Sequence, residues 1–200
     1  MAVGAQAAAA VVLVVALNNH GSAGAATVYA DYSALDSTAP SGIAIVSSRK
    51  EAEAATGPVW MGRNSAGAVE PEIAAARPVA VGVPGLRAWA ARSTAGGICI
   101  LAYASAPPGE SRPGGLGVSC DSNGGWAHGA TMEMTVGGSK PYLVGLAPND
   151  VSSVTLRLDN GGSTTLPVSH NVYATPISDA ASSVVFTTAG AQQTVNLGGR

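Results

Sequence analysis

The chain changes texture near residue 78. Beyond that point apolar and polar positions alternate in short runs separated by turn residues, the period-two pattern of half-buried strands. The clearest run is "VSSVTLRLDNGGSTTLPVSHNVYA". Val154, Leu156 and Leu158 fall on one side of it, and Ser153, Thr155 and Arg157 on the other. "DNGG" at 159–162 supplies residues that tolerate positive φ, as a tight hairpin turn requires, and Leu166 and Val168 resume the apolar phase afterwards. "TMEMTV" also alternates, with Met132, Met134 and Val136 opposite Glu133. "SVVFTT" and "QQTVNL" bracket "AGA" as a terminal hairpin, and "VAVGV" and "LRAWAAR" flank the turn dipeptide "PG". "PYLVGLAP" is a further short run, while "ICILAY" is apolar on both faces, as a central strand should be. About eight such strands predict a mainly β domain over residues 78–200, sandwich-like or a partly closed barrel.

Upstream the pattern differs. "GIAIVSSRKEAEAAT" predicts a short strand leading into a short helix, and the rest of residues 26–77 reads as a linker interrupted by Pro and Gly. From Ala2 to Leu17 there is no charge, and Gln6 is the one polar residue. That apolar helix lies at the lower limit for spanning a bilayer and suits a secretory signal, with "GSAGAA" offering small residues for cleavage near Ala23 to Ala25. A basic leader is missing. Residues 1–25 are therefore expected to be an export signal with an atypical start, or a membrane anchor through residues 2–17 with its first residues lost. A buried Ala-rich helix is the plainer alternative. The first two readings place the remainder outside the cytoplasm, secreted or anchored to the cell membrane.

Composition narrows the function classes. Two hundred residues suffice for one domain with a true core. The formal charge of −2 gives no positive field to hold nucleic acid. Only 11% of residues are charged against the usual quarter, so long charged helices are disfavoured.

Chemistry is sparse. Cys99 lies in the central apolar strand, and Cys120 follows the Pro- and Gly-rich excursion "SAPPGESRPGG". An exported chain with two cysteines is expected to join them, tying the end of that excursion to the strand. The rival reading makes Cys120 a nucleophile with His128 as base, but Asp121 beside the thiol opposes thiolate formation. His20, His128 and His170 lack metal-site spacing, so no metal is expected, nor any cofactor: nucleotide-binding glycine motifs are absent. His170 is expected to be a partly exposed residue satisfying backbone groups. "SSRK", Ser47 to Lys50, matches S-x-x-K without the companion motifs of penicillin-recognising enzymes. Glu70 and Glu72 flank Pro71 too closely for a glycosidase pair and suit solvated surface. Among Trp60, Trp89 and Trp126, the last sits on the Gly-rich loop "DSNGGW", and Trp89 shares a strand phase with Arg87, implying partial exposure. Trp126, His128, Trp89 and Arg87 are thus the candidate ligand or partner contacts, and no residue is assigned as catalytic.

The stretch "GLAPNDVSSVTLRLDNGGSTTLPVSHNVYATPI" resembles one that recurs in exported, often membrane-anchored, proteins of high-GC actinobacteria. The shared pattern is a Leu-Val-Pro-like lead, a polar turn, Val-Thr-Leu, Asp-Gly, then Asn-Val-Tyr, and the central cysteine pair is similar. The resemblance covers about half of the chain. It implies an extracytoplasmic β-rich domain and brings no defined activity.

Two expectations follow. One is a non-enzymatic extracytoplasmic domain with a structural or recognition role toward a protein or small molecule, its contact surface on the loops Ser105 to Gly115 and Asp121 to Gly129. The other is an extracellular hydrolase with a Ser or Cys nucleophile and His128 or His170 as base.

Overall fold

The computed structural model describes residues 32–55, 57–61, 69–105, 114–120, 130–134, 141–177, 181–188 and 191–197. The apolar N-terminal segment, Trp126 and His128 lie outside them. After a 3-10 turn at Ser33–Asp36 come β1 (Ala44–Ile45), α1 (Arg49–Ala54) and β2 (Val59–Trp60), so the short strand and helix form where the sequence places them. A second 3-10 turn, Ile73–Ala75, leads into β3 (Arg77–Val79), β4 (Leu86–Arg92), β5 (Ile98–Ala104) and β6 (Gly115–Cys120). Next are β7 (Ala130–Met134), β8 (Tyr142–Leu146), β9 (Ser153–Leu158) and β10 (Ser163–Pro167). The described chain ends with β11 (Val172–Pro176), β12 (Ala181–Thr188) and β13 (Ala191–Asn196).

The fold is mainly β and sandwich-like. Three antiparallel sheets carry it, in the orders β3-β4-β5-β6, β11-β8-β7 and β10-β9-β12-β13, beside a parallel β1-β2 pair. None of the sheets closes on itself among the described residues, so the barrel half of the expectation is corrected. The reason lies in the stacking. Leu86, Ala88, Ala90, Ile98 and Ile100 on one face of the first sheet pack with Met132, Val144, Leu146 and Val172 of the middle sheet. Leu143 and Tyr173, on alternate positions of the middle sheet, pack instead with Val154, Leu156, Val184 and Phe186 of the last sheet. A sheet buried on both faces needs no curvature to hide its apolar side chains.

That arrangement explains why "ICILAY" and "PYLVGL" escape alternation. β5 lies between β4 and β6, and every residue from Ile98 to Ala102 is buried. Its second face, with Cys99 and Leu101, packs under Ile43, Ile73, Ala76 and Trp60. Those four residues belong to the stretch expected to be a linker, and Tyr32 and Ala34 from the same stretch enter the first core. Burying each large aliphatic side chain of this kind contributes about 1.5–3 kcal/mol.

In the last sheet, β9 carries Val154 and Leu156 inward with Leu158 half-buried against them, while Arg157 is exposed. The β9–β10 hairpin closes at "DNGG": Gly161 has φ +83°, its N–H donates to the Leu158 carbonyl, and Leu158 N–H donates to the Gly162 carbonyl. Glycine meets that left-handed conformation without a Cβ penalty. The β12–β13 pair is antiparallel up to Thr188 opposite Ala191, as the terminal hairpin requires.

Candidate functional site

The two cysteines occupy directly opposed positions of β5 and β6. They are joined by a disulfide, with S–S 2.03 Å and Cα–Cα 4.1 Å. Cys99 is fully buried and Cys120 half-buried. The bond takes both sulfurs, so Cys120 has no thiol with which to attack a substrate. Ser119, next to it, is buried, and its hydroxyl has no hydrogen-bond partner among the described residues.

His170 is exposed in the turn before β11, with φ +50°, and its Nδ1 lies 3.0 Å from the Ser169 hydroxyl. Asn171, also in the left-handed region at φ +66°, is the buried member of this turn. Its Oδ1 accepts from the Ala34 N–H at 2.9 Å and the Ser33 hydroxyl at 3.0 Å. Its Nδ2 donates to the Ala147 carbonyl and to Asn149 Oδ1, both at 2.9 Å. One amide thus fastens the first 3-10 turn, the β8–β9 connection and the turn into β11. Sequence reading passed over Asn171. Its tolerance of positive φ was a usable signal for the turn, but nothing local reveals partners more than a hundred residues away.

"SSRK" is a helix start. The Ser48 hydroxyl accepts from the Glu51 N–H, and the Glu51 carboxylate accepts from the Ser48 N–H, a capping box. The Ser47 N–H and then its hydroxyl also donate to that carboxylate, holding Glu51 below the usual carboxylate range. Ser47 is engaged with Glu51 as a donor to a carboxylate.

On β4, Arg87 and Trp89 do share a face, but Trp89 is only 3% exposed, which corrects its expected partial exposure. The physical reason is the cover laid over that face by the segment around Ile43 and Ile73, with the Trp89 indole N–H donating to the Ser41 carbonyl at 2.6 Å. Arg87 stays exposed at the edge of this cover. Its guanidinium carbon lies 5.0 Å from the ring centre of Tyr103, the residue opposite it on β5, and 5.9 Å from that of Trp89. Beside it opens a groove of about 500 Å³ bordered by Ser41, Pro78, Val83, Pro84 and Trp89. Across the cover a second open groove, about 600 Å³, is lined by Ile45, Trp60, Ile73, Glu70 and Glu72, with Ile45 66% exposed.

Of the four predicted contacts, Arg87 and Trp89 come together at one groove, while Trp126 and His128 lie outside the described residues. Among the described residues no cluster of three or more His, Cys, Asp or Glu side chains could hold a metal ion, and no helix is long and apolar enough to cross a membrane. No protein-family description, characterised protein or solved structure matches this chain.

Proposed function

We propose that this chain works outside the cytoplasm as a cross-linked β domain with a structural or recognition role, without chemistry of its own. The Cys99–Cys120 bond is the observation that supports this reading. Disulfides persist in oxidising compartments and are rare in the reduced cytosol. The uncharged run from Ala2 to Leu17 and the resemblance to exported actinobacterial proteins point the same way. The groove beside Arg87 is the contact surface we assign to it, because a fixed polar group at the lip of an apolar cleft is how binding sites set orientation. Cell fractionation of the full chain in its native host, with thiol titration of the unreduced, denatured protein, tests the proposal. The expected result is an extracytoplasmic protein with no titratable thiol; a cytoplasmic protein with two thiols overturns it.

The hydrolase reading keeps one contact in its favour, Ser169 to His170 at 3.0 Å. The two residues are neighbours on an exposed turn, which gives an attacking hydroxyl no cleft to exclude water. A serine-reactive fluorophosphonate is expected to leave Ser169 unlabelled, and labelling lost in His170→Ala would revive that reading.

A further inference from the structure

We propose that Arg87 is the anchor of a carboxylate-binding site, and that the groove beside it takes the small apolar body to which the carboxylate is attached. This deepens the recognition reading above and rests on it. Three observations converge. First, Arg87 is exposed and its guanidinium forms no hydrogen bond or ion pair among the described residues; its contacts are the faces of Tyr103 and Trp89. A cation–π contact uses the charge of a guanidinium and none of its N–H donors, the fork that matches a carboxylate.

Second, the rings that brace it are themselves fixed. Trp89 is buried and held by its hydrogen bond to Ser41. Tyr103 is clamped by Gly114, where an added Cβ would come within 2.5 Å of the phenol oxygen and of the Ala104 carbonyl. Gly57 borders the guanidinium on another side, where an added Cβ would sit 3.9 Å from Nη2. An arginine ordered before binding loses less side-chain freedom when it binds.

Third, the neighbouring lining is apolar, with Pro78, Val83, Pro84 and the Trp89 ring. Arg77 cannot add a second charge at this spot, because it lies on the neighbouring strand opposite Ala90, whose side chain belongs to the other face of the sheet. Among the described residues one cation borders this apolar cleft, which matches a singly charged carboxylate with an apolar body better than a phosphate dianion. Such a group is presented by a free organic acid or by the C-terminus of a peptide.

Nitrogen-15 NMR of the full oxidised chain, following the Arg87 Nε–H and the Trp89 indole N–H, tests this. The probes are N-acetyl-leucine, N-acetyl-leucine amide, and an acetylated tripeptide ending in leucine with a free carboxylate. N-acetyl-leucine is expected to shift both signals to saturation, the amide to leave them in place, and Arg87→Gln to weaken binding by roughly 10- to 100-fold. Arg87→Lys keeps the charge without the fork and is expected to fall between. A tripeptide that binds tighter than the single residue assigns the site to peptide ends; equal binding assigns it to free acids. Binding of the amide as tight as that of the acid, binding unaffected by Arg87→Gln in a protein with an unchanged spectrum elsewhere, or no shift at tens of millimolar acid overturns the proposal. In those cases an extracytoplasmic location and absent thiols would leave the broader reading standing.

Discussion

The first and last four-stranded sheets reach stability by different routes. The sheet β3-β4-β5-β6 is apolar on both faces, lies between the middle sheet and a cover drawn from residues 41–76, and is bridged by a disulfide. In the sheet β10-β9-β12-β13, β9 and β13 alternate and turn one face to a core to which β10 adds Leu166, with Ser183 and Val185 of β12 buried on the opposite side. Its ladders are set by neighbours in sequence, apart from the β12–β9 pairing. The ladders of the first sheet also join consecutive strands throughout, so what it takes from afar is its cover, whereas the last sheet takes its central β9–β12 ladder from afar. Non-local covers need more loop closure before contacts reward it.

The largest expected break in this comparison comes from truncating equivalent core leucines. Leu101→Ala and Leu156→Ala each remove a side chain at most 1% exposed, and each is expected to cost about 2–5 kcal/mol. Leu101 should lie toward the upper end, because the cross-linked strands beside it resist collapse into the cavity. Urea unfolding of both variants decides it; a costlier Leu156 variant would reverse the ranking of the two sheets.

Asn171 sharpens the comparison, since its amide ties the first 3-10 turn, whose Ala34 enters the core between the first and middle sheets, to the β8–β9 connection. Asn171→Ala leaves buried partners unpaired and puts a Cβ-bearing residue without a local polar side chain at φ +66°, for an expected loss of about 3 kcal/mol. Asn171→Gly relieves the backbone alone and should recover about 1 kcal/mol of that. Thermal denaturation of the pair separates the two contributions, and equal stabilities would mean the backbone conformation costs nothing here.

The smallest change has the opposite sign. Ser119 buries a hydroxyl that is unpaired among the described residues, so Ser119→Ala is expected to stabilise by about 1 kcal/mol. A destabilised variant in calorimetry would mean that the hydroxyl finds a partner.

These routes also decide what could be read from the sequence. The "DNGG" hairpin was legible because both strands and the turn lie within about fifteen residues, each obeying a local rule. The short helix was legible too, although "SSRK" suggested catalysis before Glu51, one residue beyond the motif, marked a capping box. The disulfide followed from an expected export and from the chain having two cysteines. The stacking of three sheets did not follow, because a strand apolar on both faces does not state what covers it. Trp89 shows the limit: its face was assigned correctly beside Arg87, and its burial was missed because the cover lies some fifteen to fifty residues upstream. The aromatic bracing of Arg87 needed the β4–β5 register, which places Tyr103 opposite it.

The covalent bridge has a last consequence, for endurance against proteases. Cys99 and Cys120 enclose the whole β5–β6 connection, 21 residues apart in sequence. A protease that cuts anywhere within that connection severs the backbone, yet the two pieces stay tethered through sulfur and keep their strands side by side. Damage of that kind would show on a gel only after reductant.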